Sequence, residues 1–267
     1  MPEERVPIIT LTTDFGQEDA YAAIMKGVIL SINPKAKIVD ICHGIGAHDL
    51  LEGAFVLGAA YSVFPLRTIH VCVVDPGVGT ARRPILAVTE KYYFLAPDNG
   101  VLSFIYEKEV VEKVYVLEAE HYRREPVSPT FHGRDIFAPA AAWLTRGADA
   151  ENFGMAITDY ARITVPKPKV AERGLDGMVL HVDRFGNLVT NISADDLARL
   201  REMAGGAGAV TVRIKDKAAT LQETYMGGAE GPVAVVGSSG YVEVAMPKQS
   251  AHKALGAGRG ERVRVEV

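Results

Sequence analysis

Three polar segments carry residue types that could do chemistry together. The first, Thr12-Thr13-Asp14-Phe15-Gly16-Gln17-Glu18-Asp19, closes a β-branched run and precedes a helix-like stretch. Asp14 falls where open α/β sheets place ligand groups, and acidic side chains there accept hydrogen bonds from ribose hydroxyls. Asp19 reads equally as the N-cap of the next helix, a preferred use of aspartate. The second is Val74-Asp75-Pro76-Gly77-Val78-Gly79-Thr80-Ala81-Arg82-Arg83. Its Pro and Gly build a tight turn that can bring backbone N–H groups to a ligand. It lacks the Gly-Lys-Ser/Thr ending of a phosphate loop. As a mere surface turn, its Asp–Arg pair would be worth little. The third, Ser128-Pro129-Thr130-Phe131-His132-Gly133-Arg134-Asp135, sets a titratable ring beside a backbone free to approach a ligand. Asp135 is expected in a first helical turn, complementing the dipole.

Two later segments are weaker. Asp183-Arg184-Phe185-Gly186-Asn187 suits a hairpin turn, and Gly237-Ser238-Ser239-Gly240-Tyr241 offers two hydroxyls and free backbone donors between strands. A metal alternative draws on Asp40, His43, His48 and Asp49, with Asp14 and Asp75 within call. Their spacing matches no standard zinc pattern, so no metal ligands are assigned. A metal-dependent phosphohydrolase using Asp14, Asp40, His43, Asp75 and His132 is one rival reading. A nucleoside-binding module without catalysis is another.

The elements that must position these residues fall into two grammars. Up to about residue 163, strand-like and helix-like segments alternate: strand Val6–Thr12, helix Asp19–Ile32, strand Lys37–Ile41, helix Leu50–Val63, strands Ile69–Val74 and Tyr92–Leu95, helix Val101–Lys108, strand Val114–Leu117 and helix Ile136–Leu144. The alternation predicts an α/β domain with a mainly parallel sheet, whose ligands sit beyond the carboxyl ends of the strands. A Pro- and Lys-containing linker covers residues 164–174. Residues 175–267 then read as short Gly-punctuated strands with one helix, Ala194–Met203, a small all-β barrel or sandwich.

Composition narrows the class. The chain has 267 residues, a formal net charge of −4 and no basic block, which argues against a nucleic-acid partner. The longest nearly apolar stretch, Ala54–Leu66, is shorter than the roughly 20 residues of a membrane span. Glu3 and Glu4 stand where a signal peptide would be basic. Cys42 and Cys72, both in apolar strand-like segments, are expected as buried thiols in a reducing cytoplasm.

The segments ITLTTDFG, DPGVGTARRPI, APDNGVLS, TFHGRDIFAPAAA, DRFGNLVTNI and GSSGYVEVA, in this order, resemble the S-adenosylmethionine hydroxide adenosyltransferase family from about Ile9 to the C-terminus. That resemblance implies a hydrolase converting S-adenosyl-L-methionine and water to adenosine and L-methionine, with no cofactor. It also implies a homotrimer whose site lies between the first domain of one subunit and the second domain of its neighbour. Residue by residue, the family's water-activating set falls on Asp75, Arg82 and His132, and Asp14 would hold the ribose. Asp19, Asp183 and Ser238 would bind the amino and carboxylate groups of the methionine part. Phe185 and Asn187 would flank and bond the adenine with Tyr225 as a stacking partner, while Val78 and Gly133 would line the pocket near the reacting carbon. The same superfamily includes halide-using enzymes. Against those, no extra loop follows Arg82, Asp75 and His132 are both present, Ser239 replaces an Arg, and Val189 stands where the fluorinating enzyme has Trp. The resemblance therefore implies water as the nucleophile.

Overall fold

The computed structural model describes residues 6–205, 208–226 and 231–267, so Glu3 and Glu4 lie outside the described residues. The chain divides into two compact units, Met1–Val165 and Pro166–Val267.

In the first unit the chain runs β1 (Ile8–Thr13), α1 (Tyr21–Ile32), β2 (Lys37–Cys42), α2 (Leu50–Ala60), β3 (Ile69–Val73), β4 (Pro84–Thr89), β5 (Tyr93–Pro97), α3 (Ser103–Lys108) and β6 (Val111–Val116). A π-helical turn, Gly133–Phe137, then leads into α4 (Ala138–Thr145), and β7 (Ala156–Ile157) ends the unit. The seven strands form one sheet in the order β2-β1-β3-β5-β4-β6-β7. β1 pairs in parallel with β2 and β3, and β3 with β5. β4 is antiparallel to β5 and β6, and β6 to β7.

The sheet is therefore mixed, not mainly parallel as expected. The cause is Pro84–Thr89, which reads in the sequence as a passage between two strands but folds as β4 and turns back onto β5. Proline can open a strand, because the first position has no ladder bond to donate.

Helices cover both faces. Ile9 and Leu11 of β1 pack with Met25 and Ile29 of α1 and the buried alanines of α4. On the other face Cys72, Phe94 and Ile85 meet Leu57 and Ile105. Burial on both faces explains why the central strands read as continuous apolar runs. Only Cys72 is enclosed; Cys42 is half-buried. No helix among the described residues is long and apolar enough to cross a membrane.

The second unit contains β8 (Lys169–Ala171), β9 (Gly174–Val182), β10 (Leu188–Ser193), α5 (Ala194–Met203), β11 (Thr211–Ile214), β12 (Lys217–Thr220), β13 (Val233–Val236), β14 (Tyr241–Ala245), α6 (Ala251–Leu255) and β15 (Arg262–Glu266). The expected linker over residues 164–174 thus holds a strand, since β8 pairs with the start of β9. The remaining strands run β12-β11-β15-β9-β10-β14-β13, every neighbouring pair antiparallel. A bridge from Leu221 to Ala234 joins the two ends into a nearly closed barrel. Alternation sends Val212, Ile214, Val242, Val244, Val263 and Val265 into its core. Ser193 opens α5 with a capping box closed by Asp196.

Candidate active site

Parallel pairing of β1 with β3 sets Thr13 opposite Val73, so Asp14 and Asp75 leave the sheet side by side at its carboxyl edge. The turn after β3 is closed by Val78 N–H donating to the Asp75 carbonyl at 3.3 Å and Thr80 N–H to the Gly77 carbonyl at 3.1 Å. Gly79 adopts φ +77°, and a Cβ there would lie 2.3 Å from the Pro129 carbonyl oxygen. The absent side chain lets this turn dock on the loop that carries His132.

Arg82 then returns toward the strand end. Its Nε donates to Asp75 Oδ1 at 3.0 Å and its Nη2 bonds Asp75 Oδ2. The same Nη2 lies 2.6 Å from His132 Nδ1. Both members of the ion pair are buried, unlike a surface turn, and the guanidinium lies 5.8 Å from the Phe137 ring centroid. Arg82 Nη1 is buried without a hydrogen-bond partner among the described residues. Burial, and then the charge of Arg82, hold the His132 pKa below the ordinary histidine value.

Asp135 stands in the first turn of the π-helical segment, as expected, and takes further partners there. Its fully buried carboxylate, part of the π-helical turn, accepts Arg134 Nε and Nη2 at 2.6 and 2.7 Å and the Ser128 N–H at 2.9 Å. Burial works to raise its pKa, but these bonds outweigh it and hold the carboxyl below the usual range. The effect is to tie both ends of the His132 segment together. A π turn of this kind is common where a helix carries function.

Around these groups lies a cavity of about 440 Å³ whose wall includes Asp14, Asp75, Val78, His132 and Gly133. Phe15, Tyr21 and Phe131 form an aromatic cluster on the same wall, with ring centroids 5.2–5.9 Å apart. Gly133 packs beneath it: a Cβ there would meet Met25 Sδ at 3.1 Å and Phe131 Cε2 at 3.2 Å. Asp14 Oδ2 accepts the His48 N–H at 2.9 Å. Asp19 is not on this wall. It is exposed and caps nothing, because α1 begins at Tyr21 with Ala20 at its N-cap.

In the second unit the β9–β10 hairpin consumes much of Asp183. Its Oδ1 accepts the Phe185 and Asn187 N–H groups at 2.9 and 2.8 Å, and its Oδ2 accepts Asn187 Nδ2 at 2.8 Å. That closure leaves Phe185 78% exposed at the tip. Asp183, Phe185, Asn187, Tyr225 and Ser238 share the wall of a second cavity, of about 730 Å³. Ser239 is off that wall, and its hydroxyl is buried without a partner among the described residues. Glu243, which nothing in the sequence singled out, is on the wall and accepts the Tyr225 hydroxyl at 2.8 Å.

The alternative metal set disperses. Asp40 binds Lys26 at 2.6 Å and His43 at 3.1 Å, His43 Nδ1 pairs with Thr13 Oγ1, and Asp49 caps α2. No group of three His, Cys, Asp or Glu among the described residues converges on one point.

A mixed α/β unit with a buried acid–guanidinium–imidazole chain at its strand ends, followed by a small β-barrel, defines a two-domain enzyme class. Residues 9–154 match the model of the SAM hydroxide adenosyltransferase N-terminal domain, and residues 177–264 that of its C-terminal domain. The chain belongs to the SAM hydroxide adenosyltransferase family. An (R)-S-adenosyl-L-methionine hydrolase from Thermus thermophilus is 35% identical over 263 residues, 95% of this chain and 97% of that one. A fluorinase from Actinoplanes sp. is 31% identical over 227 residues, 74% of this chain and 76% of that one. The crystal structure of an uncharacterized conserved protein from Thermotoga maritima superposes with a TM-score of 0.90 at 33% identity, covering 97% of this chain and 100% of that one.

Proposed function

We propose that this chain cleaves S-adenosyl-L-methionine, in the (R) form that its hydrolase relatives are named for, with water to give adenosine and L-methionine. Family membership supports the reaction class, and the Asp75–Arg82–His132 chain beside the cavity supports water as the nucleophile.

Arginine is only a donor, so the contact from Arg82 makes His132 Nδ1 an acceptor. The neutral ring then carries its proton on Nε2. His132 thus donates a hydrogen bond to the oxygen of the attacking water and does not abstract its proton. Asp75, whose two oxygens each keep a further lone pair beside the Arg82 bonds, accepts a hydrogen bond from that water. The water is held by one donor and one acceptor, its remaining lone pair aimed at C5′ of the ribose.

The new O–C5′ bond forms as the C5′–S bond breaks, and the departing pair neutralises the sulfonium. Methionine leaves as a neutral thioether and needs no general acid. The added proton leaves the oxygen as the bond completes, toward Asp75 and then solvent. Orientation of this kind can be worth up to about 7–11 kcal/mol, more than a base alone supplies. Asp14 holds the ribose hydroxyls, and the second cavity holds adenine between Phe185, Asn187 and Tyr225. Asp183 and Ser238 take the amino-acid end. Asp19, exposed before α1, joins them at the amino-acid end. The active form is a homotrimer sharing its sites between subunits, at work in the cytoplasm without a cofactor.

Incubating the protein with S-adenosyl-L-methionine in heavy-oxygen water tests the reading. The expected result is adenosine with the isotope in its 5′-hydroxyl, read by mass spectrometry. Absence of adenosine, or adenosine without the label, would overturn it.

A further inference from the structure

Glu243 lies in the middle of β14, opposite Val189 of β10 and Val235 of β13. Its neighbours Val242 and Val244 point into the barrel core, so alternation sends Glu243 to the other face, where it is nonetheless buried. A carboxyl among valines is costly to bury unless bonded. One partner is the Tyr225 hydroxyl, which donates to Oε2 at 2.8 Å. The other oxygen occupies space that exists only because residue 237 is glycine: a Cβ there would lie 1.8 Å from Oε1 and 2.3 Å from Cδ. Tyr225 comes from the segment after β12, is 42% exposed, and shares the cavity wall with Phe185 and Asn187. A half-exposed ring on a loop loses conformational freedom when held, and the bond to a fixed carboxyl supplies the hold.

We infer that Glu243 is a positioning residue: seated in the space that Gly237 leaves open, its carboxyl anchors Tyr225 as a preset wall of the cavity that receives the nucleoside. The inference rests on the nucleoside reading of that cavity and adds to it Glu243 and Gly237, which act through Tyr225. A wall held in place before binding improves affinity by removing an ordering cost. The bond-forming step, carried by groups of the first unit, gains nothing from it.

Adenosine binding by calorimetry, alongside steady-state hydrolysis of S-adenosyl-L-methionine, tests this. Tyr225→Phe and Glu243→Ala are each expected to weaken adenosine binding and raise KM about fivefold or more, with kcat held within about twofold. Glu243→Gln keeps an acceptor for the hydroxyl and should bind within about twofold of wild type. Gly237→Ala, which displaces the carboxyl, should behave as Glu243→Ala. The Tyr225→Phe, Glu243→Ala double variant should be no weaker than either single one. Should Glu243→Ala fail to fold, Tyr225→Phe, which removes one oxygen from a half-exposed side chain, carries the test. If wild type hydrolyses the substrate and Tyr225→Phe binds adenosine as wild type does, the anchoring role is wrong and the proposed reaction stands. If wild type neither binds adenosine nor hydrolyses the substrate, the reaction is wrong and the anchoring role falls with it.

Discussion

Arg82 Nη2 stands 2.6 Å from His132 Nδ1 while its Nε donates to Asp75 Oδ1 at 3.0 Å. One guanidinium thus sets both the charge partner of the acid and the tautomer of the ring. Protonated His132 would turn Nδ1–H against Arg82 N–H, donor against donor. Burial and the Arg82 charge both lower its pKa, so the neutral ring persists below pH 6.5.

The pH dependence follows from that sign. Activity should stay level from neutral pH down through 6.5 and fall only as the ring protonates, at a lower pH. The profile of kcat/KM checks it; an acid limb centred above 6.5 would mean that the ring is not held neutral by Arg82.

Removing the oriented donor should be severe. His132→Ala is expected to lower kcat about 10²–10³-fold, the usual cost of losing one aligned donor to a transition state. Asp75→Asn should cost about 10²–10⁴-fold. Adenosine affinity, measured separately, should change little in either variant. Wild-type turnover in both would remove the pair from the chemistry.

Gly79→Ala should destabilise the fold and the site together. A Cβ would fall 2.3 Å from the Pro129 carbonyl at φ +77°. A strained backbone position costs about 1–3 kcal/mol before the clash is counted. Denaturant unfolding should show a lower midpoint, and turnover should fall because the clash parts the Asp75 turn from the His132 loop.

His70 gives a pH dependence of stability unrelated to the site. Its ring is buried, stacked on Phe94 and bonded to Thr10 Oγ1 at 2.8 Å, and burial pushes its pKa down to about 3. The unfolded chain binds this proton near pH 6.5 while the folded chain refuses it, so the contribution is whole above 6.5 and lost as pH falls toward 3. By pH 5 the loss is about 2 kcal/mol. Chemical denaturation of wild type and His70→Phe at pH 7 and pH 5 should show the steeper decline in wild type.

Stripping divalent cations should leave turnover intact, since Asp40, His43 and Asp49 are committed to Lys26, Thr13 and the α2 N-terminus. Turnover lost to a chelator and restored by one divalent cation would revive the phosphohydrolase reading.

Much of this protein is local and therefore legible in the sequence. Helix α5 falls at Ala194–Met203, the residues the sequence gives for it, because helical spacing and capping act within a few positions. Asp14, Asp75 and His132 are visible as polar residues at strand and helix junctions. What the sequence hides is non-local. Strand β4 begins with a proline, and only its pairing with β5 and β6 makes it a strand and the sheet mixed. Asp19 has the chemistry of a cap yet caps nothing, while Asp135 keeps its expected first-turn place and is also bonded by Arg134 and Ser128, which the sequence does not reveal. Hydrogen-bond partners far apart in the chain decide what an ionisable group does. Only folding could seat Glu243 against a glycine and a tyrosine, or put one arginine between an acid and a ring fifty positions away.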